Sequence, residues 1–471
     1  MAGFDYIVVG GGHNGLVASI VLAMHGARVA LFESRRELGG EASDGEYMGA
    51  RYPRVAYALG LFPRDLASFI GVDLDSIVYY SDPSWVAVED GREWFRRWLS
   101  EEKVEREFER LGYLKEYVEA RRYLRGFARC SREAGILYTI DPPSLDEAEE
   151  RLEGCMEGLG RLVAEDWDKG MGSIIPSDIW GLFTFPTLYS EPGFASFYIN
   201  LNQGIWGQPR GGMTGLVESL RRRALELGVE IHTGSPVREI LVEGGRASGV
   251  AVGGRIVRAS RGVLLSTSIL CLKRLVSGDV LESFLSKREY RLLEEYSRIR
   301  IPLVRANFIA SREPRPPLGS QYRPVPIVSI NGGRIWGEAS YPTLNDPSLG
   351  GPRGLHAVTF SGAIIGANLE DAWKALGLEE VEWVDVVDVG KSYCNPSGLP
   401  SQVPMSRFSI LSSRPLQGWG NYRTPIPGLY HGSASSHPGG EVTGIPGHNA
   451  AIRMLVDAGV RHKSPLVGSQ G

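Results

Sequence analysis

The sequence predicts an α/β fold in which a parallel sheet carries an antiparallel meander and a mixed α+β cap inserted in two pieces. Three observations lead to this prediction. Residues 4–40 run as strand, glycine turn, helix and strand, which is typical of a parallel sheet. Residues 229–265 contain short β runs between glycine turns, as in a meander. Residues 101–122 and 144–169 are helical and strongly charged, as exposed cap helices are.

The first forty residues have the layout of a dinucleotide-binding βαβ unit. The apolar run Tyr6 to Val9 precedes Gly10, Gly12 and Gly15, which open a helix. In such a unit the first glycine makes the tight turn, the second lets the backbone approach a pyrophosphate, and the third allows close helix packing. Glu33 lies at the tip of the second strand, where a carboxylate can accept hydrogen bonds from the ribose hydroxyls. The sequence therefore predicts a dinucleotide, with its phosphate at the helix N-terminus.

Length and composition restrict the class of protein. A chain of 471 residues can form two lobes, and a net charge of −4 gives no electrostatic reason to expect a nucleic-acid partner. No N-terminal signal pattern precedes the first strand, and no apolar run approaches the ~18 residues that span a bilayer. We therefore expect a cytoplasmic protein, with peripheral membrane contact left open.

The four cysteines lie far apart in the sequence and form no metal-ligand or CxxC pattern. This spacing predicts reduced thiols and no metal site. The cysteines are Cys130, Cys155, Cys271 and Cys394.

The chain is predicted to leave its nucleotide-binding lobe and to return to it twice. Charged helical stretches and a second excursion of β runs separate the segments that carry the glycine motifs. The nucleotide-binding domain is assigned residues 1–75, 205–280 and 405–471. The substrate or cap domain is assigned residues 76–204 and 281–404.

Two features favour a flavin over a nicotinamide. Gly39-Gly40 follows the acidic strand end, where a second glycine pair can contact the pyrophosphate. In Gly428–Ala451, a strand enters a loop rich in glycine and proline that opens a helix, whose positive dipole end can hold the isoalloxazine. A pyridine-nucleotide disulphide reductase would need a second dinucleotide fingerprint and a redox cysteine pair. Gly244–Gly249 does not match that fingerprint, so this class is not predicted.

Three well-separated motifs carry a resemblance to a known family. They are Asp5–Gly15 with Gly39-Gly40, then Glu191–Met213, then Tyr422–Ala451. Together they resemble the phytoene desaturase-like (carotenoid desaturase) family of FAD oxidoreductases, within the amine-oxidase-like flavoprotein group. The last motif most resembles the branch of pyridine nucleotide-disulphide oxidoreductase domain-containing proteins. The resemblance implies a Rossmann-like lobe with noncovalent FAD, because the C-terminal loop has no cysteine to form a cysteinyl flavin.

By position, the resemblance implies a set of cofactor-binding residues. They cover the pyrophosphate turn, the ribose ligand with its neighbours, the second phosphate contact, the adenine contact and the flavin end. In that order they are Gly10, Gly12, His13, Asn14 and Gly15; Glu33, Ser34 and Arg35; Gly39 and Gly40; Val237; and Gly432, Val442, Thr443 and Gly444.

His437 and Glu441 are the candidate catalytic residues, since both fall on the loop expected at the flavin ring. The alternative is that His437 is a hydrogen-bonding loop residue and that Glu441 stabilises a helix N-terminus. An aromatic-rich stretch can line a lipophilic substrate channel or form the core of the cap. It consists of Trp180, Phe183, Phe185, Tyr189, Phe194, Phe197, Tyr198 and Trp206.

The sequence thus predicts an FAD-dependent oxidoreductase that dehydrogenates or isomerises an apolar, isoprenoid-like substrate. Oxygen, a quinone or another acceptor is expected to take the electrons. A flavin amine oxidase is the alternative enzyme. The alternative of another class is a non-catalytic lipid- or prenyl-binding escort-type protein on the same fold. The sequence carries no signal for an oligomeric state.

Overall fold

A computed structural model describes residues 3–184, 191–201, 205–300 and 303–467. The strands within these residues are β1 Phe4–Val9, β2 Val29–Phe32, β3 Asp44–Tyr47, β4 Ala50–Pro53, β5 Val78–Tyr79, β6 Trp85–Glu89, β7 Arg92–Arg97, β8 Gln208–Pro209, β9 Glu230–His232, β10 Val237–Glu243, β11 Arg246–Val252, β12 Arg255–Leu265, β13 Val304–Ala310, β14 Ile327–Gly332, β15 Ile335–Ser340, β16 His356–Ile364, β17 Trp383–Val386 and β18 Leu429–His431.

The α-helices of the same residues are α1 His13–Met24, α2 Arg64–Ile70, α3 Leu74–Ile77, α4 Glu101–Leu111, α5 Leu114–Glu133, α6 Leu145–Cys155, α7 Leu159–Ala164, α8 Gly193–Ile199, α9 Thr214–Glu226, α10 Leu272–Leu275, α11 Gly278–Phe284, α12 Lys287–Arg298, α13 Pro342–Asn345, α14 Leu369–Ala375, α15 Val389–Ser392 and α16 Ile445–Asp457. None of these helices is both long enough and apolar enough to cross a membrane.

The first sheet has the order β10-β11-β12-β1-β2-β9, and β18 also pairs with β12. The pairs among β12, β1, β2, β9 and β18 are parallel, whereas β10, β11 and the start of β12 form an antiparallel meander. The sequence pattern predicts two short strands at residues 255–257 and 263–265, but the structure has the single strand Arg255–Leu265. The chain stays extended between the two runs because β12 pairs first with the antiparallel strand β11 and then with the parallel strands β1 and β18. The predicted fold class is confirmed.

The second sheet has the order β17-β13-β16-β15-β14-β6-β7. Its pairs are antiparallel except for β6 with β14. One face packs Phe308, Val328 and Phe360 into an apolar core with Leu376, beyond the end of α14. The opposite face, called here the inner face, meets the first lobe, since the Thr359 hydroxyl donates to the Pro53 carbonyl at 3.3 Å. The predicted domain limits stay a prediction.

The charged cap helices bury one face each. Phe108 of α4 stacks on Tyr117 of α5 with ring centroids 4.2 Å apart, while acidic and basic side chains cover the outer faces. Four members of the predicted aromatic stretch are buried in the core shared with α1 and α16, which favours the core alternative. They are Phe183, Phe194, Phe197 and Tyr198. Phe185 and Tyr189 lie outside the described residues.

The prediction of four reduced thiols is wrong. The structure pairs Cys130 with Cys155 and Cys271 with Cys394, at Cα separations of 5.8 and 6.1 Å. The first disulfide joins α5 to the end of α6, and the second joins the segment after β12 to the segment after α15. The partners are 25 and 123 residues apart in the chain. Only the tertiary fold brings such distant cysteines within bonding range.

Candidate cofactor and active site

The first glycine turn is shaped by close packing on two sides and left open on a third. Gly10 has φ +109°, which a residue with a side chain rarely adopts. A Cβ added to Gly15 would clash with the Gly10 carbonyl oxygen, whereas one added to Gly12 would have only the Gly39 carbonyl oxygen nearby, at 3.8 Å. Gly12 is the N-cap of α1 and offers no capping side chain. The free N–H groups of this helix start therefore face open space, as an anion site requires.

The second glycine pair lies directly against this turn. The Gly39 N–H donates to the Gly11 carbonyl at 2.8 Å, and Gly39 forms an isolated parallel bridge with Gly12. Gly39 and Gly40 both have positive φ, 110° and 59°. Gly12 and Gly39, 27 positions apart in the chain, thus present bare backbone to one space, which suits a pyrophosphate.

Glu33 is held at the end of β2 by three donors. Its Oε2 accepts the Gly11 N–H at 2.7 Å, and its Oε1 accepts the Arg35 N–H at 2.9 Å and the Ser34 hydroxyl at 3.0 Å. Val237 begins β10 after a loop that donates to the Glu33 and Arg35 carbonyls. The residues predicted for the adenine and ribose end therefore lie together.

The starts of α1 and α16 meet at Asn14. The Gly447 N–H donates to Asn14 Oδ1 at 3.3 Å. Gly444, with φ +72°, is the N-cap of α16. At the other end of the loop, Gly432 donates to the Leu265 carbonyl at 3.0 Å. Two helix N-termini therefore converge beside the first glycine turn, and their dipoles make this region favourable for negative charge.

His13 of the predicted pyrophosphate turn and the remaining residues predicted at the flavin end lie in the same region. The His13 ring contacts the Asn14 amide at 3.1 Å, and burial lowers the pKa of His13 to about 4. Thr443 is fully buried, and its hydroxyl accepts the Ile445 N–H at 3.3 Å. Val442 is buried next to it. His13 is therefore neutral near pH 7, which agrees with a packing role.

A buried arginine that the sequence analysis missed holds the C-terminal loop, residues 432–444. The Arg414 side chain is inaccessible to solvent, and its five N–H groups donate to backbone carbonyls at 2.7–3.1 Å. The acceptors are Ser401, Pro404, Ser409, Ala434 and Ser436. Burial lowers the pKa of Arg414 to about 10, so it is charged at neutral pH. No local pattern around Ser-Arg-Pro indicates this role.

His437 has the contacts of a structural residue. Its ring is inaccessible to solvent, and Nε2 lies 2.7 Å from the Ile136 carbonyl. Nδ1 has no hydrogen-bond partner within the described residues. Burial lowers the pKa of His437 to about 3, so the ring stays neutral. These contacts favour the structural alternative, although a catalytic role for His437 stays a prediction.

Glu441 faces a group of charged residues from the second sheet. It adopts φ +66°, and burial raises the pKa of its carboxyl, with Arg305 opposing the shift and Glu338 adding to it. Glu338 accepts hydrogen bonds from the Tyr57 hydroxyl and, at 3.0 Å, from Trp85 Nε1. Burial also raises the pKa of Glu338.

Glu41 adds a third carboxyl from the first lobe, directly after Gly40. Its Oε1 accepts the Asn395 amide at 2.9 Å. Burial raises the pKa of Glu41 to about 7, with Glu441 adding to the shift and Arg305 opposing it. The sequence analysis missed Glu41, although its position after the glycine pair was a usable signal. It also missed Arg305 and Glu338, which only strand pairing brings to this place.

The residues of the first lobe fit a dinucleotide. The Thr267 hydroxyl is buried without a partner among the described residues, and its methyl would lie 2.9 Å from a Cβ on Gly10. Together with the open face of Gly12 and the carboxylate of Glu33, it supplies the donor and acceptor types that pyrophosphate and ribose need.

Comparisons with known proteins show the fold and the class of protein. Residues 8–66 match the NAD(P)-binding Rossmann-like domain. Pyridine nucleotide-disulfide oxidoreductase domain-containing protein 2 of Rattus norvegicus is 24% identical over 96% of this chain and 94% of its own length. Hydroxyneurosporene desaturase of Cereibacter sphaeroides is 26% identical over 97% and 98%. Cyclohexylamine oxidase from Brevibacterium oxydans superimposes with a TM-score of 0.60 at 14% identity, covering 97% of this chain and 100% of that one.

These relatives confirm the resemblance to desaturase-like oxidoreductases, and the chain is homologous to them over nearly its whole length. The likeness to the amine oxidase is one of fold. A nucleotide-binding Rossmann-like domain with relatives of this class implies a flavin cofactor.

Proposed function

We propose that the protein is an FAD-dependent oxidoreductase that binds FAD noncovalently along the first lobe. In this proposal the substrate lies between the C-terminal loop and the inner face of the second sheet. The observation that carries it is the convergence of α1 and α16 at Asn14 and Gly447, beside the glycine turns. This arrangement favours one extended site from Glu33 to Glu441 over a site for a mononucleotide.

Each part of the chain has a distinct task in this proposal. Bound FAD would supply the acceptor for a hydride from a substrate C–H bond, which in an amine is the C–H bond next to nitrogen. Glu33 orients the ribose, and the N-terminus of α1 stabilises the pyrophosphate. The N-terminus of α16 stabilises negative charge at the ring end, and Arg414 fixes the loop there. Glu41 or Glu441 holds a substrate proton: burial raises the pKa of Glu41 to about 7, which suits proton exchange near neutral pH, and burial also raises the pKa of Glu441.

We further propose an isoprenoid-like, largely apolar substrate that is dehydrogenated or isomerised, in line with the name of the relative hydroxyneurosporene desaturase. Oxygen or a quinone is the proposed electron acceptor, and the proposed location is cytoplasmic, with peripheral membrane contact as an option. A flavin amine oxidase is the second candidate. Three carboxyl groups, Glu41, Glu338 and Glu441, interact electrostatically with Arg305, and in their ionised forms they would favour a positively charged substrate.

The visible spectrum of the purified protein tests the proposal. We expect flavin absorbance near 370 and 450 nm, as flavins generally show, and release of FAD on heat denaturation, because the cofactor is noncovalent. Anaerobic photoreduction, followed by oxygen or a quinone, then identifies the acceptor. A colourless protein that takes up no added FAD would contradict the proposal and favour the escort-type alternative.

A further inference from the structure

A turn between α15 and the C-terminal loop is anchored by a covalent bond. Cys394 forms a disulfide with Cys271, which directly precedes α10. The Gly398 N–H donates to the Asn395 carbonyl at 2.9 Å, which closes a turn of four residues. Asn395 therefore begins a hydrogen-bonded turn directly after a cysteine whose position is fixed by its partner.

The contacts of the Asn395 amide determine which of its ends faces Glu41. Asn395 is inaccessible to solvent, and its Nδ2 lies 2.9 Å from Glu41 Oε1 and 2.8 Å from the Leu399 carbonyl oxygen. A backbone carbonyl can only accept a hydrogen bond, so the atom that faces Leu399 is the NH2 group. The two hydrogens of this group then serve the two acceptors. The Ser397 hydroxyl, which donates to Asn395 Oδ1 at 3.0 Å, agrees with this orientation.

This orientation restricts where the Glu41 carboxyl carries a proton. A protonated carboxyl has one carbonyl oxygen, which accepts hydrogen bonds, and one hydroxyl, which donates one. Oε1 faces a hydrogen of the Asn395 amide. The hydrogen bond is therefore best satisfied when Oε1 is the carbonyl oxygen and Oε2 carries the proton.

Both protonation states of Glu41 occur near neutral pH. Arg305 of β13 favours the ionised carboxyl, whereas Glu441 of the C-terminal loop disfavours it. The side chains of Asn395 and Gln402 also favour the ionised form, by hydrogen bonding. Burial outweighs these interactions and raises the pKa of Glu41 to about 7.

We propose that Asn395 is a positioning residue that keeps Oε1 of Glu41 as a hydrogen-bond acceptor and so directs the proton of this carboxyl to Oε2. When Glu41 takes a proton from the substrate, the new O–H bond forms at Oε2, and the electron pair of the broken bond stays with the substrate. The inference deepens the proposed function, and it rests on that function for the role of Glu41 with a substrate proton. The disulfide contributes by fixing the backbone from which the Asn395 side chain extends.

Infrared difference spectroscopy of the purified holoprotein tests the inference without turnover. The carboxyl C=O band that is missing in Glu41→Gln belongs to Glu41, and it should disappear as the pH rises through about 7. A hydrogen bond to the carbonyl oxygen lowers the C=O stretching frequency, so Asn395→Leu should move this band to higher frequency. Asn395→Leu should also raise the pH midpoint of the band by about one unit, because the ionised form loses a donor. Asn331→Leu, at a half-buried position in β14, is the control and should leave both quantities unchanged.

Nuclear magnetic resonance of the wild-type holoprotein, with isotope-labelled nitrogen in its asparagines, keeps the test decisive if Asn395→Leu fails to fold. One side-chain NH2 signal should shift with pH at the same midpoint as the Glu41 band, and Glu41→Gln should abolish that shift. An unchanged band frequency in folded Asn395→Leu, or the lack of any asparagine NH2 signal that follows Glu41, would overturn the inference.

The two disulfides provide a matched comparison for the anchoring of Asn395. The double variant Cys271→Ser/Cys394→Ser should move the Glu41 band toward its frequency in Asn395→Leu. The equivalent double variant of the other disulfide, which joins α5 to the end of α6, should leave the band unchanged. Equal spectra of the two double variants would contradict the anchoring role of Cys394.

The same spectra separate this inference from the proposed function. If the protein binds no FAD, the proposed function fails, and a band shift in Asn395→Leu still supports the hydrogen bond to Oε1. If the protein binds FAD and Asn395→Leu leaves the Glu41 band unchanged, the inference fails and the proposed function stands.

Discussion

Gly447 and Asn14 join the two helix starts of the site, because the Gly447 N–H donates to Asn14 Oδ1 at 3.3 Å. A Cβ added to Gly447 would clash with the Asn14 backbone carbonyl oxygen. Only glycine therefore lets the C-terminal helix approach the first glycine turn this closely.

Gly447→Ala should separate α16 from α1 and lower the free energy of unfolding by about 1–3 kcal/mol, as overpacking generally does. Urea unfolding measures the free energy of unfolding, and absorbance measures the flavin content. Both quantities should fall. Gly154→Ala is the matched control, since a Cβ at Gly154 meets no heavy atom within 4 Å. Equal stability of the two variants would contradict the close approach.

Glu33→Gln should weaken FAD binding by about 10- to 100-fold, the usual effect of losing a charge-assisted hydrogen bond. The carboxylate that accepts the Gly11 N–H and is expected to orient the ribose would lose its charge. Fluorescence titration of the apoprotein with FAD measures the change. Glu37→Gln, whose side chain is 65% exposed, is the control and should bind FAD normally. An unchanged affinity in Glu33→Gln would remove this residue from the cofactor site.

Arg414→Ala should lower the free energy of unfolding by about 3–5 kcal/mol, because five carbonyls would lose a buried partner. Arg414→Lys keeps the charge but loses the planar fork, so an intermediate loss is expected. Urea unfolding compares both variants with Arg291→Ala, whose side chain is 72% exposed. If Arg414→Ala were no less stable than Arg291→Ala, the loop would not depend on this arginine.

The stability of the protein should depend on the ionisation of Glu41. Burial raises its pKa from 4.5 to about 7. The protonated form is thus favoured in the folded state, and the contribution is fully present below pH 4.5 and lost as the pH rises through 7. Glu41→Gln cannot titrate, so its free energy of unfolding should fall less between pH 5 and pH 8 than that of the wild type.

Urea unfolding at the two pH values, at equal cofactor loading, tests this dependence. The difference should be on the order of 3 kcal/mol, given the size of the pKa shift. The exposed neighbour substitution Glu46→Gln should leave the wild-type pH dependence unchanged. The same pH dependence in Glu41→Gln and Glu46→Gln would show that Glu41 is ionised throughout.

Substitutions of Glu441 and His437 should have different effects on the rate at which the substrate reduces the flavin. Glu441→Gln should slow flavin reduction by about 100-fold or more, the range of general acid–base catalysis. His437→Gln should leave the pH profile between pH 5 and 8 unchanged, because a ring with a pKa of about 3 does not titrate there. Stopped-flow measurement of flavin reduction by the substrate gives both the rate and its dependence on pH. Loss of the acidic limb of the pH profile in His437→Gln would restore His437 as a base.

The first glycine turn illustrates what the sequence reveals. Strand, glycines, helix and acid follow one another within forty residues, so local patterning indicates both the fold class and the nucleotide end of the site. The C-terminal loop was found by its glycine and proline content and by family resemblance. His437 shows the limit of such patterns. Its position on the loop predicted a catalytic role, but its hydrogen-bond partner, the Ile136 carbonyl, lies in the cap and cannot be identified from the loop sequence.

The cysteines and the second sheet depend on contacts between distant residues. Cys271 and Cys394 meet although 123 residues separate them, and Arg305 reaches Glu441 only because β13 pairs in one register with β16. A shift of one residue would turn Arg305 to the other face.

By itself, the sequence of this protein determined the Rossmann-like lobe and the class of oxidoreductase. Short contiguous segments encode those features, because the residues of each segment determine its backbone conformation. Only the tertiary structure decided the pairing of the cysteines, the role of Arg414 and the approach of Arg305 and Glu338 to Glu441. Burial and register, which arise when distant segments pack, set the charge and the accessibility of these groups.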